Sequence, residues 1–207
     1  MTLEKAKSLF EKHVPAEAVF YCLELFEQYQ FRFTLRKNRV TKVGDFTFRT
    51  GHVPRITINN DLHPYLFLIT YIHEVAHLAV HMNHGNRVDA HGNEWKSNFQ
   101  QLLDPVLNEE VFPIELLRAL KKHMINPRAS SFSDPALTQV LRQYDPKAVR
   151  QTILSEIPEG SIFSLNGRWF KKGPLRRTRF ECKELKSKRT YLVPADVPIE
   201  NAQLSLL

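Results

Sequence analysis

Apolar residues recur at helical spacing in the N-terminal part of the chain. The two stripes predict α-helices over residues 3–12 and 15–29, and they consist of Leu3, Ala6, Leu9 and Phe10, then Val19, Cys22, Leu23, Leu25 and Phe26. Pro15 suits the first turn of a helix, because the N–H that proline lacks would have no intrahelical partner there. We therefore expect both helices to bury an aromatic and aliphatic face in a core.

The pattern changes to a period of two over residues 31–59. Apolar and polar side chains alternate in three runs, which predicts three strands with turns near residues 37–38 and 50–52. Many polar positions are basic: Arg32, Arg36, Arg39, Lys42, Arg49 and Arg55. We interpret most of them as a solvated sheet face, and a surface for an anionic partner is the alternative. An edge strand of such a sheet can also bind an extended peptide by strand addition.

Helical spacing returns after these strands. Asn60 and Asp61 are predicted to cap a strongly apolar helix, and further helices are predicted over residues 93–104, 113–123 and 136–143. Residues 124–136 are rich in Ser, Pro and Asn, which predicts a linker or a surface loop.

The tail alternates again and is strongly basic. Residues 161–170 and 178–193 predict three or four short antiparallel strands around turns at 166–167 and 172–174. Between Glu159 and Tyr191, ten basic residues face three acidic ones, and the difference of +7 equals the net charge of the whole chain.

Positive charge concentrated on a small module, with aromatic residues interleaved, is typical of nucleic-acid binding. The alternative is a small aromatic core with charges that only solubilise it. If the tail binds DNA, single-stranded or duplex, the candidate contacts are Arg168, Lys171, Lys172, Arg176, Arg177, Arg179, Lys188 and Arg189.

Composition narrows the class of protein. The 207 residues allow one domain, or one with a small appendage, and 43% hydrophobic residues suit a globular core. Cys22 and Cys182 form neither a metal-type pair nor a disulfide framework, which favours a reducing cytoplasm. The first residues lack the apolar stretch of a signal peptide, and the apolar run from Tyr65 to Ile72 is too short to cross a bilayer. We expect a cytoplasmic protein, with nucleoid association as an option, and no membrane partner.

The candidate chemistry lies in the most apolar helix, as His73-Glu74-Val75-Ala76-His77. Residues four apart lie on one face of a helix, so His73 and His77 can offer two imidazoles to one metal ion. Glu74 beside them can act as a proton acceptor for a water molecule. A buried charged group without a partner is costly, and a metal ion relieves that cost. The pattern is typical of a zinc hydrolase.

The third ligand is open from spacing alone. Val80 and Asn83 stand where a metzincin would have Gly and His, which excludes that class. His81 continues the face of His73 and His77, but three ligands in one straight row cannot converge on a tetrahedral centre. His91 follows a polar, flexible stretch that lets the chain turn back, and it is the preferred candidate. Glu94 is the alternative.

The spacing His73-Glu-x-x-His77 followed by His91-Gly92-x-x-Trp95-Lys96 resembles the SprT-like family of zinc metalloproteases, which includes the Spartan-type proteases for DNA–protein crosslinks. Gly44-Asp45-Phe46, the stretch 54–59 and Leu62 also match, so the resemblance covers roughly residues 15 to 125. It implies one catalytic Zn²⁺ held by His73, His77 and His91, with Glu74 as the general base.

The tail departs from that family. Bacterial SprT-like proteins often carry a C-terminal zinc ribbon, whereas Cys182 has no C-x-x-C partner, so we expect no second zinc. Lys96, which matches the family pattern, is interpreted as a surface residue, and Trp95 as a core residue that fixes the approach of the third ligand.

We therefore predict an α+β fold, a zincin-like metalloprotease domain with helices packed on a small antiparallel sheet and a β-rich C-terminal module. The predicted boundaries are 1–126 for the protease domain, 127–150 for a linker with a short helix, and 151–207 for the basic module. The predicted function is zinc-dependent cleavage of proteins bound or crosslinked to DNA. The alternative is a nucleic-acid-binding or transcription-linked regulatory protein with a structural or idle zinc site.

Overall fold

The computed structural model describes residues 1–37, 39, 42–129, 134–146 and 152–203. The chain divides into two compact units, residues 1–144 and 145–207. Within the described ranges the fold is mixed α and β, with six α-helices and two sheets. None of the described helices combines the length and the apolar character that crossing a membrane requires.

All six α-helices lie in the first unit. Their bounds are Leu3–His13 (α1), Val19–Tyr29 (α2), Pro64–His84 (α3), Asn93–Leu103 (α4), Ile114–Met124 (α5) and Pro135–Gln143 (α6). The helical periodicity therefore located each of them closely. The start of the second helix was predicted too early, because residues Ala16–Ala18 form a 3₁₀ turn before α2.

The N-cap of α3 is also corrected. The capping residue is His63, whose Nδ1 accepts a hydrogen bond from the Leu66 N–H at 3.4 Å, and not Asn60 or Asp61. Pro64 then occupies the first turn, where a missing N–H costs nothing.

The first unit contains a three-stranded sheet of Arg32–Arg36 (β1), Gly44–Thr47 (β2) and Arg55–Asn59 (β3), in the order β1-β3-β2. β2 runs antiparallel to β3, but β1 runs parallel to it. The prediction of an antiparallel sheet was therefore wrong. Alternation of apolar and polar residues reports the faces of a strand and carries no information on its direction. Residue 38 of the predicted 37–38 turn lies outside the described residues.

Helix α3 is the centre of the first core. It packs against α1, α2, α4, β2 and β3, and most of its apolar side chains are buried. The Tyr71 hydroxyl donates to the Cys22 carbonyl at 2.9 Å, which satisfies a buried polar group and ties α3 to α2. The position of α3 between the sheet and α4 determines what its polar residues can contact.

Helix α6 falls inside the segment predicted as linker and short helix. Leu137 and Leu141 are buried in the first core. Asp134 caps the helix by accepting from the Ala136 and Leu137 N–H groups, and it also pairs with Nδ1 of His123 at 3.0 Å. Residues 130–133 and 147–150 of that segment lie outside the described residues.

The second unit contains one antiparallel sheet, and residues 147–151 and 204–207 of this unit are not described. Its strands are Ile162–Leu165 (β4), Arg168–Arg176 (β5), Arg179–Glu184 (β6), Thr190–Pro194 (β7) and Asn201–Gln203 (β8), in the order β7-β6-β5-β4-β8. A separate small core lies on one face, formed by Phe163, Phe170, Cys182, Val193, Leu154, Ile157 and Ile199. The fifth strand, β8, was missed because its three exposed residues have no apolar alternation.

One predicted turn of this sheet is present and the other is not. Asn166 and Gly167 have φ of 51° and 70°, as a tight hairpin requires. Residues 172–174 do not turn. They continue β5 through a bulge, and the hairpin comes at Arg177, where φ is 59°. Only glycine fits at position 173 of this strand, because a Cβ there would collide with the Glu181 carbonyl oxygen.

Candidate metal centre and active site

Helix α3 brings the first two imidazoles together. His73 and His77 lie one turn apart on the same face, and their Nε2 atoms are 3.1 Å apart. The His73 ring contacts the rings of Trp95 and Phe99 edge-on, at centroid distances of 4.7 Å and 5.5 Å, and both histidines are half-buried. The i, i+4 spacing therefore produces the geometry predicted from it.

The third imidazole arrives from the segment between α3 and α4. Helix α3 ends at His84, and Gly85, with φ of 60°, turns the chain away. His91 then precedes Gly92, the N-cap of α4, and its Nε2 lies 3.1 Å from that of His77. Ligand atoms of His73, His77 and His91 all fall within 4.8 Å of one another.

This cluster fits a tetrahedral metal ion. Zinc bonds to imidazole nitrogen of about 2.0–2.1 Å place neighbouring ligand atoms about 3.3 Å apart, close to the two separations of 3.1 Å between Nε2 of His77 and those of His73 and His91. One Nε2 cannot satisfy two others by hydrogen bonding, because a neutral imidazole nitrogen either donates or accepts. A cation that receives all three lone pairs resolves this arrangement.

The electrostatics favour neutral ligands. Burial, together with the neighbouring His91, lowers the pKa of His77 to about 4. Burial, with the neighbouring histidines, holds the pKa of His73 well below its usual value, and burial also lowers the pKa of His91. All three rings are therefore unprotonated at neutral pH, which is the form that binds a metal.

Trp95 forms the wall behind the three histidines. Its ring is fully buried and lies 4.7 Å from His73, 5.4 Å from His77 and 4.8 Å from His91, between centroids. Phe99, one turn further on α4, stacks on Trp95 at 5.0 Å. The aromatic wall restricts the rotamers of the imidazoles, which agrees with the interpretation of Trp95 as a core residue.

Glu74 lies on the adjoining face of α3, against β2. It is 6% exposed, and the backbone N–H of Phe46 donates to its carboxylate. The pKa of Glu74 is raised to about 8, mainly by burial and also by the nearby Asp45, whereas the Phe46 hydrogen bond opposes the shift. A proton acceptor with a pKa near neutrality is suited to exchange protons with a substrate.

Gly44 makes room for this carboxylate. A Cβ at position 44 would collide with Oε1 of Glu74 and would lie 2.6 Å from Cγ2 of Thr70. The glycine thus allows β2 to approach α3 closely enough for Phe46 to reach Glu74. Sequence reasoning gave Gly44 no role, although a glycine inside a strand is a signal of close backbone approach.

The other candidate ligands lie elsewhere. His81 faces β2, with its ring 4.1 Å from that of Phe48, and His84 is exposed at the end of α3. Glu94 stands in the first turn of α4, and no carboxylate joins the histidine group within the described residues. Lys96 donates to the Asn126 side chain at 2.7 Å.

Comparison with known protein families agrees with this geometry. Residues 16–114 match the model of the SprT-like family, a family of zinc metalloprotease type. This part of the chain is an SprT-like domain. No curated protein and no solved structure matches the chain significantly. The matched range contains His73, Glu74, His77 and His91, together with Gly44 on β2.

The second unit lies beyond the range matched as SprT-like. The residues predicted there as nucleic-acid contacts differ in their exposure and in their partners. Lys172 does not fit that role. Its side chain is buried, and Nζ donates to the carbonyls of Leu154 at 2.8 Å and Ile157 at 2.6 Å and lies 3.7 Å from the Phe180 ring centroid. Period-two alternation places Lys172 on the core face, a signal that the charge count concealed.

Two arginines of this unit have partners in the sheet. Arg168 pairs with Glu184 at 2.6 Å and covers the Tyr191 ring at 4.7 Å, and Arg176 pairs with Glu181 at 2.9 Å. The remaining candidates are exposed: Lys171, Arg177, Arg179, Lys188 and Arg189. A smaller set than the sequence predicted is therefore available to a partner.

Proposed function

We propose that the chain is a zinc-dependent metalloendopeptidase of the SprT-like type, with a zincin-like catalytic domain. The observation that supports this most strongly is the convergence of three imidazole nitrogens beside a buried carboxylate that is not one of the ligands. His73, His77 and His91 would hold the ion. A bound zinc ion supplies Lewis acidity, which polarises the scissile carbonyl and makes water a usable nucleophile near neutral pH.

Glu74 is assigned the proton transfers. Its carboxylate accepts a proton from the attacking water and then delivers that proton to the leaving amine. A divalent cation beside it favours the ionised form, which offsets the effect of burial on its pKa. The Phe46 N–H and the space left by Gly44 orient the carboxylate for both steps.

The edge strand β2 is the proposed seat of the substrate backbone. β2 is paired with β3 on one side only, within the described sheet, and it contacts α3 next to Glu74. An extended peptide that adds to this edge would gain main-chain hydrogen bonds and pass the catalytic group. Flexible or unfolded protein segments are therefore the proposed substrates.

The resemblance to Spartan-type proteases suggests substrates that are bound or crosslinked to DNA. The exposed basic residues of the second unit support this proposal, because a tether raises the local concentration of substrate without adding a contact at the active site. On this proposal the protein acts in the cytoplasm, at the nucleoid.

The alternative is a nucleic-acid-binding regulatory protein whose zinc site is structural or idle. Glu74 argues against it, because zinc binding by three histidines does not need a buried carboxylate beside the cluster. A structural site would also use four protein ligands, and three are found in the described residues.

Glu74→Gln is the test of the catalytic role. The variant should retain zinc at the level of the original protein and lose about 10²–10⁴-fold in the rate of protein cleavage, the usual contribution of a positioned acid–base group. Cleavage at an undiminished rate would remove Glu74 from the mechanism. Loss of both zinc and folding would be detected by metal analysis and circular dichroism.

DNA dependence needs a separate comparison. A substrate protein bound to single-stranded or duplex DNA should be cleaved faster than the same protein in the absence of DNA. Charge reversal at Arg177 and Arg179 should lower DNA affinity and flatten its salt dependence, because fewer phosphates are neutralised. An unchanged salt slope would exclude these two residues from the DNA contact.

A further inference from the structure

A second concentration of positive charge lies in the three-stranded sheet. Residues 31–59 contain seven basic residues and one acidic residue, a net charge of +6. The structure places five of the seven basic residues in two groups. Arg39 donates to the side chains of Asn59 and Thr57, and Lys42 pairs with Asp45 at 2.5 Å, so these two stabilise the fold.

The other group lines a cleft. Arg32, Arg49, His52 and Arg55 surround a cavity of about 770 Å³ at the end of the sheet. Arg32 and Arg55 are register partners on β1 and β3, and Thr47 is the partner of Arg55 on β2. Their side chains share the sheet face opposite Phe33 and Ile56, which point into the core.

The charges of this cleft are not balanced within the protein. No carboxylate is among the lining residues that the structure describes, and none of the three arginines has an ion-pair partner in the described ranges. The Nε of Arg55 is buried and has no hydrogen-bond partner there. Like charges directly opposite each other on neighbouring strands are destabilising, so Arg32 and Arg55 gain from a bound anion.

We propose that this cleft binds the phosphate backbone of a nucleic acid strand. Arginine forks match phosphate oxygens in a bidentate manner. Three strands about 4.8 Å apart spread the arginines over about 10 Å. One strand of a duplex carries a phosphate about every 3.4 Å of helix axis, so that distance corresponds to roughly three phosphates of axial rise. A single acidic side chain of a protein partner would satisfy only part of the cluster.

The site is separate from the catalytic centre and from the second unit. Strand β2 connects the two features: Gly44, at one end, contacts Glu74, and Thr47, at the other end, lines the cleft. These two residues are three positions apart along the strand, a distance of about 10 Å. Nucleic acid in the cleft would therefore lie beside the edge strand that we assign to the substrate. Binding requires neither zinc nor Glu74, so this inference can fail without affecting the catalytic proposal.

The experiment is a salt titration of DNA binding by the full chain, measured by fluorescence anisotropy with a labelled oligothymidine. The variant R32Q/R49Q/R55Q should bind about 10–100-fold more weakly near 0.1 M salt, and its salt slope should fall by about 2, because single strands release about 0.7 counterions per contact. The matched control is R118Q/K121Q/K122Q, which removes the same charge from exposed positions of α5 and should change affinity less than about twofold.

Two further arms keep the test decisive. R32Q/R49Q leaves the half-buried Arg55 in place and should show about two thirds of the change in slope, with an unchanged melting temperature. Equal affinity and slope in the original and triply substituted proteins would overturn the proposal. So would a polyglutamate peptide that binds as tightly as the oligothymidine and loses its affinity in the same variant, because the cleft would then recognise acidic protein segments.

Discussion

The buried polar side chains of the second unit and the histidine group of the first unit differ in how their polar atoms are satisfied. In the second unit, Lys172 donates to two carbonyls, Ser164 donates to Glu200 at 2.7 Å, and Glu184 accepts from Arg168 and Ser187. In the first unit, the Nε2 atoms of the histidine group have hydrogen-bond-distance contacts only with one another among the described residues. The first arrangement is complete within the protein, whereas the second needs a ligand.

This difference separates structural from functional polar groups. A buried polar group that is satisfied by its own fold stabilises the native state and offers nothing to a partner. A cluster of nitrogen lone pairs that converge with no hydrogen-bond donor between them forms a binding site for a cation. The number of basic residues in the tail suggested Lys172 as a nucleic-acid contact, but its side chain is buried. The spacing of the histidines, in contrast, predicted a cluster that is present in the structure.

The largest expected effect is the loss of a ligand. His91→Ala should reduce zinc affinity by at least about a hundredfold, since changes in residues that only support the ligands already cost 10–100-fold. His81→Ala is the matched control, because His81 lies one turn from His77 and contacts Phe48 instead of the cluster. Competition with a chromogenic chelator measures both affinities. Equal affinities in the two variants would place the third ligand elsewhere.

Gly44→Ala should act on the carboxylate and not on the metal. The added methyl group displaces Glu74, and a displacement of about 1 Å can cost up to about 10²-fold in rate. We expect kcat to fall by about 10–100-fold while zinc content and KM change little. In an E74D background, where the carboxylate is shorter, the same substitution should cost much less. Equal costs in both backgrounds would exclude a contact between residues 44 and 74.

Lys172→Met tests the satisfied group of the second unit. Two buried carbonyls lose their donor, which should destabilise that unit by about 1–3 kcal/mol. Lys171→Met, on the exposed face of the same strand, should change stability by less than about 0.5 kcal/mol. Denaturant unfolding followed by Trp169 fluorescence compares them. A stable Lys172→Met variant that binds DNA more weakly would return Lys172 to the nucleic-acid contacts.

The smallest effect is a pH dependence. The hydrogen bonds from Arg168 and then Ser187 lower the pKa of Glu184 from 4.5 to about 2. Because the folded-state pKa is depressed, the stabilisation is present above pH 4.5 and is lost as the pH falls towards 2. Thermal unfolding of Glu184→Gln should therefore depend less on pH in this window. If the variant keeps the full pH dependence of unfolding, other carboxylates must cause that dependence.

Much of the fold followed from periodicity. The helices α4 to α6 were located within one residue at each end, because each has one apolar face. The direction of the strands could not be predicted from the sequence. Strand β3 comes last of the three in the sequence but lies between β1 and β2 in the sheet, and its burial on both faces is seen only in the structure. The bulge at Gly173 was read as a turn, since a Gly-Pro pair serves both purposes.

The histidine group could be predicted because its residues follow a spacing that helix geometry fixes. The role of Gly44 could not, because it depends on the distance between β2 and α3, two elements far apart in sequence. The same holds for the cleft formed by Arg32, Arg49 and Arg55. Its charges were visible in the sequence, but the separation of free from paired arginines required the register of the strands.

Zinc K-edge X-ray absorption of the purified full-length chain tests the central claim most directly. The account predicts one zinc ion per chain, with three imidazole nitrogens at about 2.0–2.1 Å and a light, exchangeable fourth ligand. A protein that binds zinc in less than stoichiometric amounts, or a spectrum with sulfur or only two imidazoles in the coordination shell, would contradict it.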